Sequence, residues 1–267
     1  MILPSVPLVS LVLGLAAAAA YAAPAAGATR MSMDVVRKVL LAAWVLHGLA
    51  LAYGLVGVEP RFGFAPSLSV TAWLALTVYG VESRMFPELR ALGALTGLGA
   101  AAVLVALVFP GTPMPHNSSP WLPLHWALGI ASYGLFAAAV FHAWLMMRAE
   151  KQMRQALGQQ SGVPLLTLER LTFRFVMAGF VLLSATLLAG WLFAETLYGP
   201  GKAWQWNHKT VFSLLSWFAF ATLLVGRARF GWRGRTAVRV LYVGSFLLLL
   251  GYAGSRFVLE VILGRAT

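Results

Sequence analysis

Eight long runs of apolar residues constrain this chain more than any other feature. They lie at about 5–26, 39–57, 67–81, 91–109, 124–146, 173–196, 210–226 and 237–258. Most approach the roughly 20 residues that a helix needs to cross a bilayer. A segment in hydrocarbon must satisfy its own backbone hydrogen bonds, so runs of this length read as helices. The expected fold is all-α: one polytopic transmembrane domain over residues 1–267, with about eight helices. Composition agrees. Of the 267 residues, 60% are hydrophobic and 10% charged, whereas soluble domains are about half apolar and a quarter charged. There is no cysteine, which excludes disulfides, thiolate metal sites and thioether attachment of haem within the chain.

The net charge of +12 would suggest nucleic acid in a soluble protein. Its distribution gives another meaning. Arg30, Arg37 and Lys38 follow the first run; Arg84 and Arg90 follow the third. Arg148, Lys151, Arg154, Arg170 and Arg174 follow the fifth, and Arg227, Arg229, Arg233, Arg235 and Arg239 the seventh. These alternate connections hold 15 of the 20 basic residues, against Arg61, Lys202, Lys209, Arg256 and Arg265 on the other side. The basic side is the cytoplasmic one, so both termini are expected outside. The excess charge is topology, no nucleic acid partner is implied, and the expected location is a bacterial cytoplasmic (inner) membrane.

The stretch LVLGLAAAAAYAAPAAGA is similar to a signal peptide with alanine-rich cleavage sites. No positive residue precedes it, however, and three follow. Cleavage would also invert the second span, so an uncleaved helix is expected. Two cytoplasmic connections, 148–172 and RARFGWRGR, are rich in basic residues. They read as topology anchors, with the second also suited to anionic headgroups.

Polar residues within membrane spans are costly and mark candidate sites. His47 falls in mid-span of the second run. His125 opens the fifth run at its outer end, and His142 lies near its cytoplasmic end. His116 is in the outer loop PGTPMPHNSSPWLP, and His208 opens the seventh run. His125 and His208 thus share the outer level. Trp121 and Trp126 flank the first, and Trp204 and Trp206 precede the second. Gly129 and Ser132 share a helix face with His125, leaving room for a flat cofactor or another helix. Arg256 reaches the same level from the last run. A neutral imidazole is a good axial ligand for haem iron, and Arg256, Lys202 and Lys209 suit haem propionates. Simpler roles stand beside these. The tryptophans also fit an interfacial belt, Arg256 a pair with Glu260 one turn on, and His47 an interhelical hydrogen bond. Ser–His–Asp groupings, carboxylate pairs, P-loops and HExxH motifs are lacking, so a binding role is expected rather than an enzyme.

The stretch GKAWQWNHKTVFSLLSW then becomes specific. It resembles the tryptophan-rich outer segment of the membrane haem-handling proteins of cytochrome c assembly, the CcsA/CcmC superfamily. There a W-x-W-D-P-K-E pattern precedes an apolar helix. Trp204, Trp206 and Lys209 match it, while Asn207 stands for its aspartate, His208 for its proline and Thr210 for its glutamate. LPLHWALGIASYGLFAAAVFHA resembles the family helix that opens with an outer-face histidine, matched by His125. Over about 120–265 the resemblance is closer to the eight-helix YpjD/HemX-like branch, through PLLTLERLTFR, HKTVFSLLSW, GWRGRTAVR and GSRFVLE. The loop at about 197–209 is short for the family, and there is no histidine beyond His208.

The resemblance implies haem b bound or presented at the outer face during cytochrome c biogenesis. His125 would be one axial ligand and His208 a second, with Arg256 on the propionates and Trp204 and Trp206 as a stacking wall. His47 is a further candidate for cofactor contact. The expected partners are the lipid bilayer and a cytochrome c assembly or haem-pathway protein. The alternative is a non-enzymatic, HemX-like regulator acting through its basic cytoplasmic loops without haem.

Overall fold

A computed structural model describes residues 7–26, 31–57, 59–85, 92–113, 121–155, 164–195 and 206–264. The protein is all-α, with two two-residue strands among the described residues. Its helices are α1 (Leu8–Ala26), α2 (Met33–Val56), α3 (Phe64–Met85), α4 (Leu92–Val108), α5 (Trp121–Arg154), α6 (Leu165–Leu192), α7 (His208–Phe230) and α8 (Gly234–Leu249). Beyond α8 the chain stays helical to Ile262, widening to π-helix at Leu250–Gly254 and Val258–Ile262.

Among the described residues six helical stretches are long and apolar enough to cross a membrane: Met33–Val56, Phe64–Arg84, Leu124–Arg154, Leu165–Leu192, His208–Phe230 and Gly234–Ile262. Leu8–Pro24 and Thr96–Val108 are shorter apolar stretches. Each expected run thus coincides with a helix, but the ends move. The third, expected over only 67–81, extends through Phe64–Met85. The connection over 148–172, expected to be partly helical, has helix at both ends, since α5 continues to Arg154 and α6 starts at Leu165. Hydropathy stops where charges begin, whereas a helix continues while its backbone bonds and side-chain pairs permit. The Arg154–Glu150 pair (2.5 Å) supports the last turn of α5 in this way.

The chain divides into two compact units. The first holds residues 1–80, 91–115 and 256–267; the second holds 81–90 and 116–255. In the first, α1 packs on α2 and α4 around Ala17, Tyr21, Ala43 and Val103. The α2–α3 seam is tied by tryptophans. Trp44 and Trp73 stack at 4.9 Å, Trp73 Nε1 donates to the Trp44 carbonyl (2.9 Å), and Trp44 Nε1 donates to Thr77 Oγ1 (2.8 Å). Strands Arg61–Phe62 and Thr112–Pro113 pair antiparallel beside Gly111. That residue has φ +80°, and a Cβ there would meet the Phe62 carbonyl at 2.6 Å, so glycine is required.

In the second unit α5 packs along α6, and α7 along α8. Its centre is a parallel stack of two buried rings, Phe136 and Phe220, with centroids 3.7 Å apart. Gly179 and Gly244 make room for them; a Cβ at either position would approach a ring to 3.1 and 2.8 Å respectively. Interhelical hydrogen bonds lock the register. Ser216 Oγ donates to the Gly244 carbonyl (2.8 Å), Trp217 Nε1 to Ser184 Oγ (2.8 Å), and the Tyr133 hydroxyl to the Leu248 carbonyl.

Candidate functional site

His125 sits in the first turns of α5 and is half-buried. The ring lies against α6 at Gly190, where a Cβ would come within 3.3 Å of Cε1. Its Nδ1 is buried without an aligned hydrogen bond, the Thr186 backbone lies within reach of the ring, and the ring makes no aligned hydrogen bond within the described residues. An imidazole whose nitrogens make no aligned hydrogen bond keeps a lone pair that can serve a metal. The face carrying Gly129 and Ser132 is occupied by a helix. Thr186 of α6 approaches the Gly129 position to 3.5 Å, and Ser132 Oγ turns back to the Gly129 carbonyl at 2.7 Å. The small residues therefore serve α5–α6 packing.

His208 is the first residue of α7 and is exposed. It makes no hydrogen bond or ring contact with His125 among the described residues. The residue before it explains the local sequence. Asn207 caps α7: its Oδ1 accepts from the Thr210 backbone N–H (3.0 Å) and hydroxyl (3.2 Å). The D-P-K-E pattern that this stretch resembles would put an aspartate at the cap and a proline, a residue suited to the first helical position, where His208 stands. Asn207, His208 and Thr210 thus keep a working cap while changing the residue types. Trp206 is 74% exposed, and Lys209 lies over the Tyr252 ring at 5.8 Å. Trp204, Lys202 and His116 fall outside the described residues.

Arg256 belongs to the first unit, where its Nη1 lies 3.8 Å from Glu260 Oε1. His47, also in that unit, is 1% exposed. Both its ring nitrogens are engaged: Nε2 with Ser69 Oγ (2.8 Å) and Nδ1 with the Tyr21 hydroxyl (3.3 Å).

Two buried carboxylates went unnoticed in the sequence. Glu82, 6% exposed, places Oε2 2.7 Å from Nε2 of His142, which is itself 1% exposed. His142 Nδ1 lies 2.7 Å from the Ala138 carbonyl, an acceptor, so Nδ1 carries a proton. The carboxylate lies off the Nε2–H axis, making this an ion-pair contact more than an aligned hydrogen bond. Glu169 on α6 pairs with Arg227 and, at 3.7 Å, with Arg233. Arg227 also stacks over the Phe173 ring at 4.6 Å. The only sequence signal for either carboxylate was an acidic residue at the edge of an apolar run. Among the described residues no group of three or more metal-binding side chains occurs.

The family described as cytochrome C assembly protein matches residues 9–263. An uncharacterized 28.8 kDa protein of Azospirillum brasilense is 29% identical over 261 residues, which cover 96% of this chain and 85% of that protein. Inner membrane protein YpjD of Escherichia coli is 30% identical over 161 residues, 59% of this chain and 60% of YpjD. Cytochrome c biogenesis protein CcsA of Prochlorococcus marinus is 22% identical over 259 residues, 84% of this chain and 81% of CcsA. No solved structure matches.

Proposed function

Because the chain belongs to the cytochrome c assembly protein family, we propose that this multi-pass inner-membrane protein binds haem b at the outer face and presents it during cytochrome c biogenesis. The observation that carries this reading is the setting of His125: Nδ1 is held against α6 and Nε2 is uncommitted. Haem, when bound, would supply an iron that a neutral imidazole of this chain could ligate. His125 Nε2 is the proposed first ligand. His208, exposed at the head of α7, is the second, with Trp204 and Trp206 stacking on the ring. Gly190 sets the depth of the His125 ring and so its aim. Arg256 is assigned to its Glu260 pair, with His47 outside the iron site.

The test is purification in mild detergent from haem-supplemented cells, followed by absorbance spectra. The wild type should show a Soret band that His125→Ala abolishes and His208→Ala weakens or shifts. Gly190→Leu, which crowds Cε1 of His125, should weaken it without replacing either ligand. A wild type with no Soret band after supplementation, or an unchanged band in the two histidine variants, refutes the assignment.

One observation favours a second reading, regulation of a partner through the cytoplasmic loops. The basic turn is built rather than loose: Gly231 closes α7 at φ +64°, the Trp232 ring covers Gly226, and Glu169 clamps Arg227. It leaves Arg229, Arg235 and Arg239 exposed. Capture of a partner that is lost when these three become Gln, and kept in His125→Ala, would favour this reading over haem presentation.

A further inference from the structure

A cavity of about 430 Å³ lies wholly within the first unit, between α1, α2, α3 and α4. Its size falls within the roughly 300–1,000 Å³ of small-molecule sites, which combine apolar walls with a few placed polar groups. Leu51, Leu55, Val103 and Leu107 form apolar walls, Arg61 and Glu59 line it, and so do His47 and Ser69.

Those last two end a fixed chain of hydrogen bonds. Within the described residues the buried Tyr21 hydroxyl has one partner, His47 Nδ1, at 3.3 Å. A buried O–H that donated to nothing would be costly, so Tyr21 donates and Nδ1 accepts. The ring proton then sits on Nε2 and is donated to Ser69 Oγ at 2.8 Å. This leaves the Ser69 O–H as the last donor, with no acceptor among the described residues; Ser69, though only 1% exposed, is one of the residues that line the cavity. Arg61 is already turned to Glu59 and to the Gly111 carbonyl, each at 3.4 Å. The cavity therefore offers a neutral donor in apolar surroundings and no uncommitted cation.

We propose that this cavity binds a neutral, lipid-soluble molecule with a carbonyl head. The carbonyl oxygen accepts from Ser69, and the apolar body lies along α2 and α4. Membrane quinones and acyl esters are the two sources of that chemistry. Gly54 provides a clean block: it lines the cavity, and a Cβ there meets no heavy atom within 4 Å. A leucine at Gly54 starts from this open position and extends into the cavity, and it favours the helix.

The experiment is native mass spectrometry of the full-length protein, titrated separately with decylubiquinone, methyl palmitate and palmitate. Expected is a one-to-one adduct with a neutral carbonyl probe, at least tenfold weaker in Ser69→Ala and absent in Gly54→Leu. Thermal unfolding of both variants confirms that they fold. An adduct with decylubiquinone alone assigns the quinone, one with methyl palmitate alone the ester, and both together the shared carbonyl. The proposal is overturned if neither neutral probe binds, if the variants bind as wild type does, or if charged palmitate binds more tightly than its ester.

Discussion

Replacing His142 by phenylalanine tests how the second unit tolerates a carboxylate inside its helices. The change keeps a ring of similar size beside Phe175, whose centroid lies 5.2 Å from the imidazole. It removes the one charge-paired contact that Glu82 makes among the described residues, at 2.7 Å. Neither Glu82 oxygen has an aligned hydrogen bond to fall back on. Breaking a buried pair from one side costs roughly 3–5 kcal/mol. The oblique approach of the carboxylate places this case at the lower end, about 3 kcal/mol. Glu82→Leu should cost less, about 1 kcal/mol, since a neutral His142 still donates from Nδ1 to the Ala138 carbonyl. The double variant leaves no buried charge and should also lose only about 1 kcal/mol. The cycle thus predicts a coupling of about 3 kcal/mol between the two positions. Equilibrium unfolding in mixed micelles, followed by tryptophan fluorescence, measures all four proteins. A His142→Phe loss below about 1 kcal/mol, or single losses that simply add in the double variant, would refute the pairing argument.

Two further outcomes follow from local geometry. Gly226→Ala places a Cβ 2.3 Å from the Trp232 ring, so the basic turn must open; a loss of about 1–3 kcal/mol in the same unfolding assay is expected, with faster proteolysis near Gly231. Asn207→Ala removes the cap of α7 and should cost about 1 kcal/mol, whereas Asn207→Asp should retain stability close to wild type; equal loss in both would show that the cap contributes nothing.

Much of this architecture is legible from local chemistry. Apolar runs fall where α2, α5 and α7 are found, because a membrane span must be apolar along its length and helical to satisfy its backbone. The cap at Asn207 emerged only with the structure, where its side chain accepts from the Thr210 backbone N–H. Helix ends at α3, α5 and α6 were less legible, since hydropathy marks where lipid contact stops and not where backbone bonding stops. The candidate haem residues came from local pattern and family likeness. What His125 faces depends on Gly190, 65 positions away, and no local pattern pairs them.

The sequence by itself determined an all-α membrane protein, its charge asymmetry and its family, because these follow from composition, length and motif along one line of chain. Tertiary structure alone decided that His142 meets Glu82, that Glu169 clamps Arg227, and that His47 ends in a donor chain beside a cavity. Each joins residues 22 to 60 positions apart. In an apolar interior a buried polar group must find a partner wherever packing brings one, and packing is a property of helices together, not of any one of them.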